Sequence, residues 1–369
     1  MCKMIRVLQV IHSMNLGGAE NFIMNVYRNI DRSRVQFDFL VNENGTFDEE
    51  ISKLGGHIWI IPYVSQAGPW KYHMELTHFF QNHEYRVVHS HLDMVSGEVI
   101  ECAKKAGVPY CITHSHSTDT TGNWLVKKLK EYYQRKILLY ADVRMACSEQ
   151  AGKWLYGNNN SIVINNAIDL EKFQFQQDLR TKIRKLYEIS ENTMVLGHVG
   201  RYSKVKNHDF LLKVFEAYHQ KHSNSKLLLC GNGDLKEAIR EQVVKKKLQN
   251  QVIFFDASTD VYKMYNMMDV FVFPSLYEGM SLAMLEAQAN GLPIVASDSV
   301  DSRSAVTDSV VFLSLNEGMD NWVNAIEHVE RDVCNCGLQK LQEAGYDIKQ
   351  VAGQLMKYYE QGNQCEISN

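Results

Sequence analysis

No stretch of this chain approaches the roughly 18 consecutive apolar residues that a membrane-spanning helix needs, so no spanning segment is expected in it. Charge of one sign is equally scarce. The 39 Lys and Arg stand against 43 Asp and Glu, for a formal net charge of −4, which argues against a global nucleic-acid footprint and confines any basic surface to a local patch. Cysteine occurs eight times without the spacing of a zinc site. Its one close pair, Cys334 and Cys336 in VCNCG, has no second pair to complete a ligand set. All eight read as reduced thiols, and a cytosolic setting is expected. The opening MCKMIRVLQVIHSM has neither the long apolar segment nor the small-residue cleavage site of a signal peptide, and it reads instead as a strand over Ile5 to Ile11.

What is present is a chain of 369 residues with 45% hydrophobic content, enough for two α/β domains and more than one core usually organises. Short apolar runs alternate with amphipathic segments throughout. The first series predicts strands over Ile5 to Ile11, Val35 to Val41, His57 to Ile61, Arg86 to His89, Tyr110 to Thr113, Val143 to Ala146 and Ser161 to Ile164. The second predicts them over Met194 to Val199, Lys226 to Cys230, Val252 to Phe255, Val270 to Phe273, Ile294 to Ala296 and Val310 to Leu313. Helical periods such as NHDFLLKVFEAYHQKH fill the gaps, which implies parallel sheets covered on both faces. The rhythm breaks between Asp169 and Asn192, so two doubly wound, Rossmann-like domains are expected, over 1–170 and 171–345. A helix in 346–369 is expected to cross back to the first. Ligands of such sheets bind at the carboxyl ends of the strands, and two of them facing across a cleft would place the motifs there.

Those motifs follow strand ends. In DVFVFPSLYEGMSLAMLEAQAN, Glu278 precedes a helix start whose first amides lack intrahelical partners and favour an anion. Glu286 lies eight residues on, about 80° round the helix and deeper. Two carboxylates at different depths suit a ligand with two polyol parts flanking a phosphate, although solvated or salt-bridged glutamates are the simpler alternative. Gly17 and Gly18 in NLGGAENF permit close approach of a phosphate to a helix start, without the pattern of a dinucleotide site. Arg201 and Lys206 in GHVGRYSKVKNHDF could clamp a diphosphate. The loop CGNGDL, with Gly231 and Gly233, would let a nucleotide lie close to the backbone. Two H-x-H pairs, His89 with His91 and His114 with His116, end strands; neither shows a third ligand, so no metal is expected. Asp93 reads as a solvated loop acid.

Taken together, the E-x7-E of Glu278 and Glu286, Gly200-Arg201 with Lys206-Asn207, the GGAE of residues 17–20, ACSEQAGKWLYG and INNAIDLEKF resemble the family 4 glycosyltransferases of GT-B fold, closest in look to bacterial exopolysaccharide and capsule enzymes. The resemblance runs over nearly the whole chain. It implies a retaining, metal-independent hexosyltransferase with no cofactor beyond its nucleotide-sugar donor, of UDP type. Arg201 and Lys206 would bind the donor diphosphate, with the Gly17 and Gly18 amides opposite. Glu286 would hold the ribose. Glu278, with the amides of Gly279, Met280, Ser281 and Leu282, would hold the transferred sugar, and His114 would face it. The chain departs from the family at Asp256 and Ala167, where glycine is usual, and in SDSVDSRSAV, which lacks the usual Pro-Glu. A GT-B sugar-nucleotide epimerase and a non-catalytic nucleotide-sugar-binding subunit are the alternatives.

The segment 123–141, NWLVKKLKEYYQRKILLYA, carries Lys127, Lys128, Lys130, Arg135 and Lys136 against Glu131, with an apolar stripe of Leu125, Leu129, Tyr132, Tyr133 and Ile137. It suits an anionic bilayer surface and a polyprenyl-phosphate-linked glycan acceptor, which would make the protein peripheral on the inner face of the plasma membrane. A surface helix packed by its apolar stripe is the alternative.

Overall fold

The structure, a computed structural model, describes residues 4–117, 124–257, 260–332 and 336–364, with side chains left out for 124–127 and for 363–364. The chain divides into two compact units, Met1–Ala167 with Ile348–Asn369, and Ile168–Asp347.

The first unit is built on β1 (Ile5–Val10), β2 (Val35–Val41), β3 (Ile58–Ile60), β4 (Val87–Ser90), β5 (Tyr110–Ser115), β6 (Val143–Ala146) and β7 (Ile162–Val163). They form one sheet in the order β3-β2-β1-β4-β5-β6-β7, with every pairing parallel. Successive side chains point to opposite faces, and both faces are apolar. Val7 and Phe39 enter one core with Phe22 and Tyr27, whereas Leu8 and Leu40 enter the other with Tyr72 and Phe79. The helix Ile348–Gln364 joins the first of these cores through Ile348, Val351, Leu355 and Tyr359, the last edge-on to Phe37 at 5.7 Å.

The second unit contains β8 (Met194–Val199), β9 (Ser225–Cys230), β10 (Val252–Phe255), β11 (Val270–Phe273), β12 (Ile294–Ser297) and β13 (Val310–Leu313), again all parallel, in the order β10-β9-β8-β11-β12-β13. Val270 and Val272 face one core while Phe271 and Phe273 face the other. The helix His208–Lys221 buries Leu211, Leu212, Phe215 and Tyr218, one stripe at helical spacing. The predicted break in rhythm is itself helical over Leu170–Phe173 and Gln177–Leu186. Arg180 and Arg184, one turn apart, both grip Asp269 at 2.6 Å. Arg184 has no exposed side-chain surface, and it also donates to the carbonyls of Met267, Ser190 and Thr193.

Two expectations need correction. Cys336 is disulfide-bonded, so the eight cysteines are not all free thiols; Cys102, Cys111, Cys147 and Cys230 are free, and Cys334 lies outside the described residues. Sequence spacing reports a compartment, whereas pairing depends on which sulfurs the fold brings together. The second concerns the basic helix, which spans Trp124–Tyr140, Asn123 lying outside the described residues. Its apolar stripe is split. Tyr133 and Ile137 are buried, but Leu129 and Tyr132 are exposed, as is Leu139 outside the stripe; the side chain of Leu125 lies outside the described residues. Lys136 is bound to Glu98 and Glu101 rather than facing solvent as part of a basic surface. No helix among the described residues is long and apolar enough to cross a membrane.

Candidate functional site

In the second unit the strand order reverses between β8 and β11, and in an open parallel sheet the crevice at that point is where ligands bind. The loops that leave these two strands are tied together. Leu276 N donates to Val205 O at 2.8 Å, and Asn207 Nδ2 donates to Pro274 O at 3.1 Å. Asn207 holds a left-handed backbone (φ 54°), a conformation Asn tolerates better than most residues. This delivers Lys206 to Glu278: Lys206 Nζ donates to Glu278 Oε2 at 2.6 Å and sits 4.5 Å over the Phe273 ring. Both side chains are largely withdrawn from solvent, at 15% and 24% exposed.

Glu278 is also fixed through its backbone. Asp301 N donates to Glu278 O at 2.9 Å, and Ser304 Oγ donates to Gly279 O at 3.1 Å. The segment SDSVDSRSAV, which departs from the family pattern, therefore acts as the brace of this loop. Next to it begins the helix Leu282–Ala289, preceded by buried Ser281, whose extended backbone carries no side-chain cap. The first-turn amides are left for another acceptor. Met280 and Leu282 pack partly against the core beneath, and the position a side chain would take at Gly279 is open.

Glu286, deeper on the helix, accepts a hydrogen bond from the Tyr265 hydroxyl at 2.7 Å. Its side chain keeps some exposed surface, but the carboxyl group is desolvated, and this burial pushes its pKa up to about 7 against the Tyr265 hydroxyl and the charge of Lys172. A carboxyl raised from 4.5 holds its proton more tightly folded than unfolded, so its contribution to stability is complete below the unfolded value and is lost as pH rises through about 7. Folding stability is expected to fall by about 2 kcal/mol between pH 5 and pH 8 from this group, and Glu286→Gln should flatten that slope in urea unfolding at the two pH values. An unchanged slope would place the titration elsewhere.

Arg201 does not converge with Lys206. It is 73% exposed, and its guanidinium stands 4.0 Å from the Asp234 carboxylate. The glycines after β9 meet protein rather than open space. A Cβ on Gly231 (φ 156°) would lie 2.0 Å from Gly200 O, and one on Gly233 would lie 2.6 Å from Tyr202 O. Their absence of a side chain lets this loop rest on the loop that carries Arg201. Asp256, where the family has glycine, is ion-paired with Lys236.

In the first unit, Gly17 is the residue before the helix Gly18–Asn29 and offers it no side-chain cap. The close approach expected there is made by Glu20, whose Oε2 would stand 2.1 Å from a Cβ on Gly17. Desolvation raises the Glu20 pKa, opposed by its own backbone N–H. His114, with no exposed surface, lies inside a group of four histidines. Because β4 pairs with β5, the two H-x-H pairs come together: His89–His91 centroids are 4.2 Å apart, His114–His116 4.3 Å, and His91–His116 5.1 Å. Asp93 is no solvated loop acid. Its carboxylate accepts from His116 N at 2.9 Å and from Ser117 Oγ at 2.6 Å. The reading of single residues missed Tyr265, Asp301 and Ser304. Only Tyr265, an aromatic on the helix before β11, left a signal, and its partner is distant in sequence.

Comparison with known proteins gives the family and the fold. The model described as Glycosyltransferase Family 4 matches residues 16–172, and that described as Glycosyl transferases group 1 matches residues 180–347. EpsF of Bacillus subtilis (strain 168), whose name places it among glycosyltransferases, is 35% identical over 368 residues, 96% of either chain. The UDP-Gal:alpha-D-GlcNAc-diphosphoundecaprenol alpha-1,3-galactosyltransferase of Escherichia coli is 27% identical over 70% of either chain. Among solved structures, Anabaena HepE in complex with UDP and glucose superposes with a TM-score of 0.69 at 16% identity, covering 97% of this chain and 98% of its own.

Proposed function

The chain belongs to the family 4 glycosyltransferases, and from that premise we propose that it moves a hexosyl unit from a UDP-sugar, with retention of anomeric configuration, to a polyprenyl-diphosphate-linked oligosaccharide in surface polysaccharide synthesis. The observation that carries this reading is the Lys206–Glu278 pair at the β8/β11 reversal, beside a helix start with no side-chain cap. Support comes from HepE, crystallised with UDP and glucose, and from the E. coli relative, whose name gives UDP-Gal as donor and a diphosphoundecaprenol-linked acceptor.

Cleaving the anomeric C–O bond leaves an oxocarbenium-like sugar and a nucleoside diphosphate with added negative charge. Lys206, held in place by Glu278, meets that charge together with the uncapped amides of Gly279 to Leu282 and, on rotation, Arg201. Glu286 accepts hydrogen bonds from the ribose hydroxyls, Glu278 from those of the transferred sugar, and the leaving phosphate takes the acceptor proton as the acceptor attacks on the same face. The diphosphate charge is met by side chains and amides, so added Mg²⁺ or Mn²⁺ should leave the rate unchanged.

The test is a thermal-shift and mass-spectrometric screen against UDP- and GDP-sugars, with UDP and GDP as controls. One UDP-sugar should stabilise the chain and release UDP slowly. Conversion of donor without acceptor to an epimer would favour the epimerase, and binding without turnover on any acceptor would favour the non-catalytic subunit.

For the acceptor side, the exposed face of the helix Trp124–Tyr140 mixes Lys128, Leu129, Tyr132, Arg135 and Leu139 with one acid, Glu131. We assign it to the anionic membrane surface that carries the polyprenyl acceptor. Sedimentation with phosphatidylglycerol-containing vesicles should bring the chain down at low salt, and a Leu129→Glu, Tyr132→Glu, Leu139→Glu variant should remain in the supernatant. Equal sedimentation of the two would remove this face from the reading.

A further inference from the structure

The four clustered histidines of the first unit are more than packing. His89, His91, His114 and His116 are all at least largely buried, and among the described residues four of their ring nitrogens have no hydrogen-bond partner: His89 Nε2, His116 Nδ1 and both nitrogens of His114. Leaving such a group unpaired in the interior costs about 1–3 kcal/mol, so a cluster with four of them is either strained or built for an occupant. Imidazole ligates metals in its neutral form, through a ring nitrogen that carries no proton.

Two of the rings are also held from behind. Gln9 Oε1 lies 2.9 Å from His91 Nε2, an arrangement that puts the ring proton on Nε2 and leaves a lone pair on Nδ1, the nitrogen facing His116 Nε2 at 2.9 Å. The Tyr359 hydroxyl lies 2.9 Å from His89 Nδ1. When that oxygen accepts the Nδ1 proton, the unpartnered Nε2 presents its lone pair inward. An outer partner that fixes the tautomer of a histidine is the usual companion of a metal ligand. The ligand-capable atoms of His89, His91 and His114 lie within 4.8 Å of one another. Nitrogens around one tetrahedral ion of zinc size stand roughly 3.4 Å apart, given metal–nitrogen distances of about 2.0–2.1 Å. Binding an ion requires the rings to rotate so as to close that difference.

We infer that the first unit binds one divalent transition-metal ion of the zinc class through His89, His91 and His114, with Gln9 and Tyr359 as positioning residues. His116, whose Nε2 lies 2.9 Å from His91 Nδ1, is the further nitrogen beside this trio. The ion satisfies the orphaned nitrogens and ties β4 and β5 to β1 and to the helix Ile348–Gln364 through the histidines' outer partners. It uses no residue of the second unit, and it revises the expectation that the H-x-H pairs hold no metal. It also gives His114 a task other than the sugar contact that the resemblance implies.

The experiment uses the full chain with any affinity tag removed. Elemental analysis as purified, and again after Zn²⁺ loading and dialysis, should find about one ion per chain. Titrating chelator-treated protein with Co²⁺ should give the visible absorption of a low-symmetry cobalt site, saturating at one equivalent. His89→Gln and His91→Gln should each abolish it. Tyr359→Phe, a milder change that keeps the ring packed, should weaken Co²⁺ binding about 10–100-fold. UDP binding and circular dichroism are recorded in parallel, so that a chain that binds UDP and is folded but takes up neither Zn²⁺ nor Co²⁺ overturns the metal site without touching the donor site. A cobalt band that survives in folded His89→Gln and His91→Gln also overturns it, as does a His114→Gln variant that loses turnover while keeping full metal content.

Discussion

Lys206→Ala is expected to lower kcat by about 10²–10³, the usual cost of removing one preorganised group aimed at developing negative charge, while the chain stays folded. The side chain is 15% exposed and held at 2.6 Å by Glu278, so its ammonium is positioned before the donor arrives and needs no reorganisation as the bond breaks. If its contact strengthens only in the transition state, kcat and kcat/KM fall together; if it also binds the ground state, KM rises as well. Removing it leaves the Glu278 carboxylate without its cation, but at 24% exposed that group can be rehydrated, and the loss of stability should stay near about 1 kcal/mol. Lys206→Arg keeps the charge but not the compact ammonium over the Phe273 ring, so it should restore activity only in part. Steady-state kinetics with a competent donor and acceptor decide the matter. A loss of less than tenfold in folded Lys206→Ala would move the diphosphate site away from the β8/β11 reversal.

Arg184→Met should destabilise the second unit by about 3 kcal/mol, because truncating one member of a buried charge network leaves the others uncompensated. Arg184 is fully buried and serves Asp269 along with the carbonyls of Met267, Ser190 and Thr193. Asp269 keeps Arg180 and the amide of Val195 after the change, so most of the cost falls on the abandoned carbonyls. Arg180→Met, with fewer carbonyls to lose, should cost less. Urea unfolding of the two variants gives the comparison, and a loss under about 1 kcal/mol for Arg184→Met, the scale of a surface pair, would show that water replaces the guanidinium there.

All thirteen strands among the described residues could be placed from the sequence, within one or two residues at their ends, because strands buried on both faces are short apolar runs bounded by turn residues. The parallel two-sheet class followed from their alternation with amphipathic helices. Spatial order was a different matter. Nothing in VVHSHL and CITHSHST states that β4 and β5 are neighbours, so two separate pairs of histidines gave no hint of a four-ring cluster. Arg180 and Arg184 look in the sequence like the solvated side of an amphipathic helix, and only Asp269, more than eighty residues on, explains their burial. For the donor residues, spacing placed Glu278 before a helix and Glu286 on it, while the resemblance supplied their roles. Neither told that Lys206 would be bound to Glu278, since that contact depends on the left-handed turn at Asn207 and the tie from Leu276 to Val205. Gly231 and Gly233 suggest a backbone that a nucleotide can approach, and the structure adds a second reason for glycine there, since a side chain at either would meet the neighbouring loop.

The helix Ile348–Gln364 fills a core otherwise made of residues from the beginning of the chain, with residues 168–347 interposed. During synthesis the first sheet therefore emerges with its Tyr359 socket empty. At 5–20 residues per second the ribosome takes roughly 10–40 s to add the interposed unit, which is complete, and free to fold, before the element that closes the first one exists. The nascent protein must pass that interval with the apolar flank of β1 and of the helix Gly18–Asn29 uncovered, a window in which a holding chaperone has something to hold.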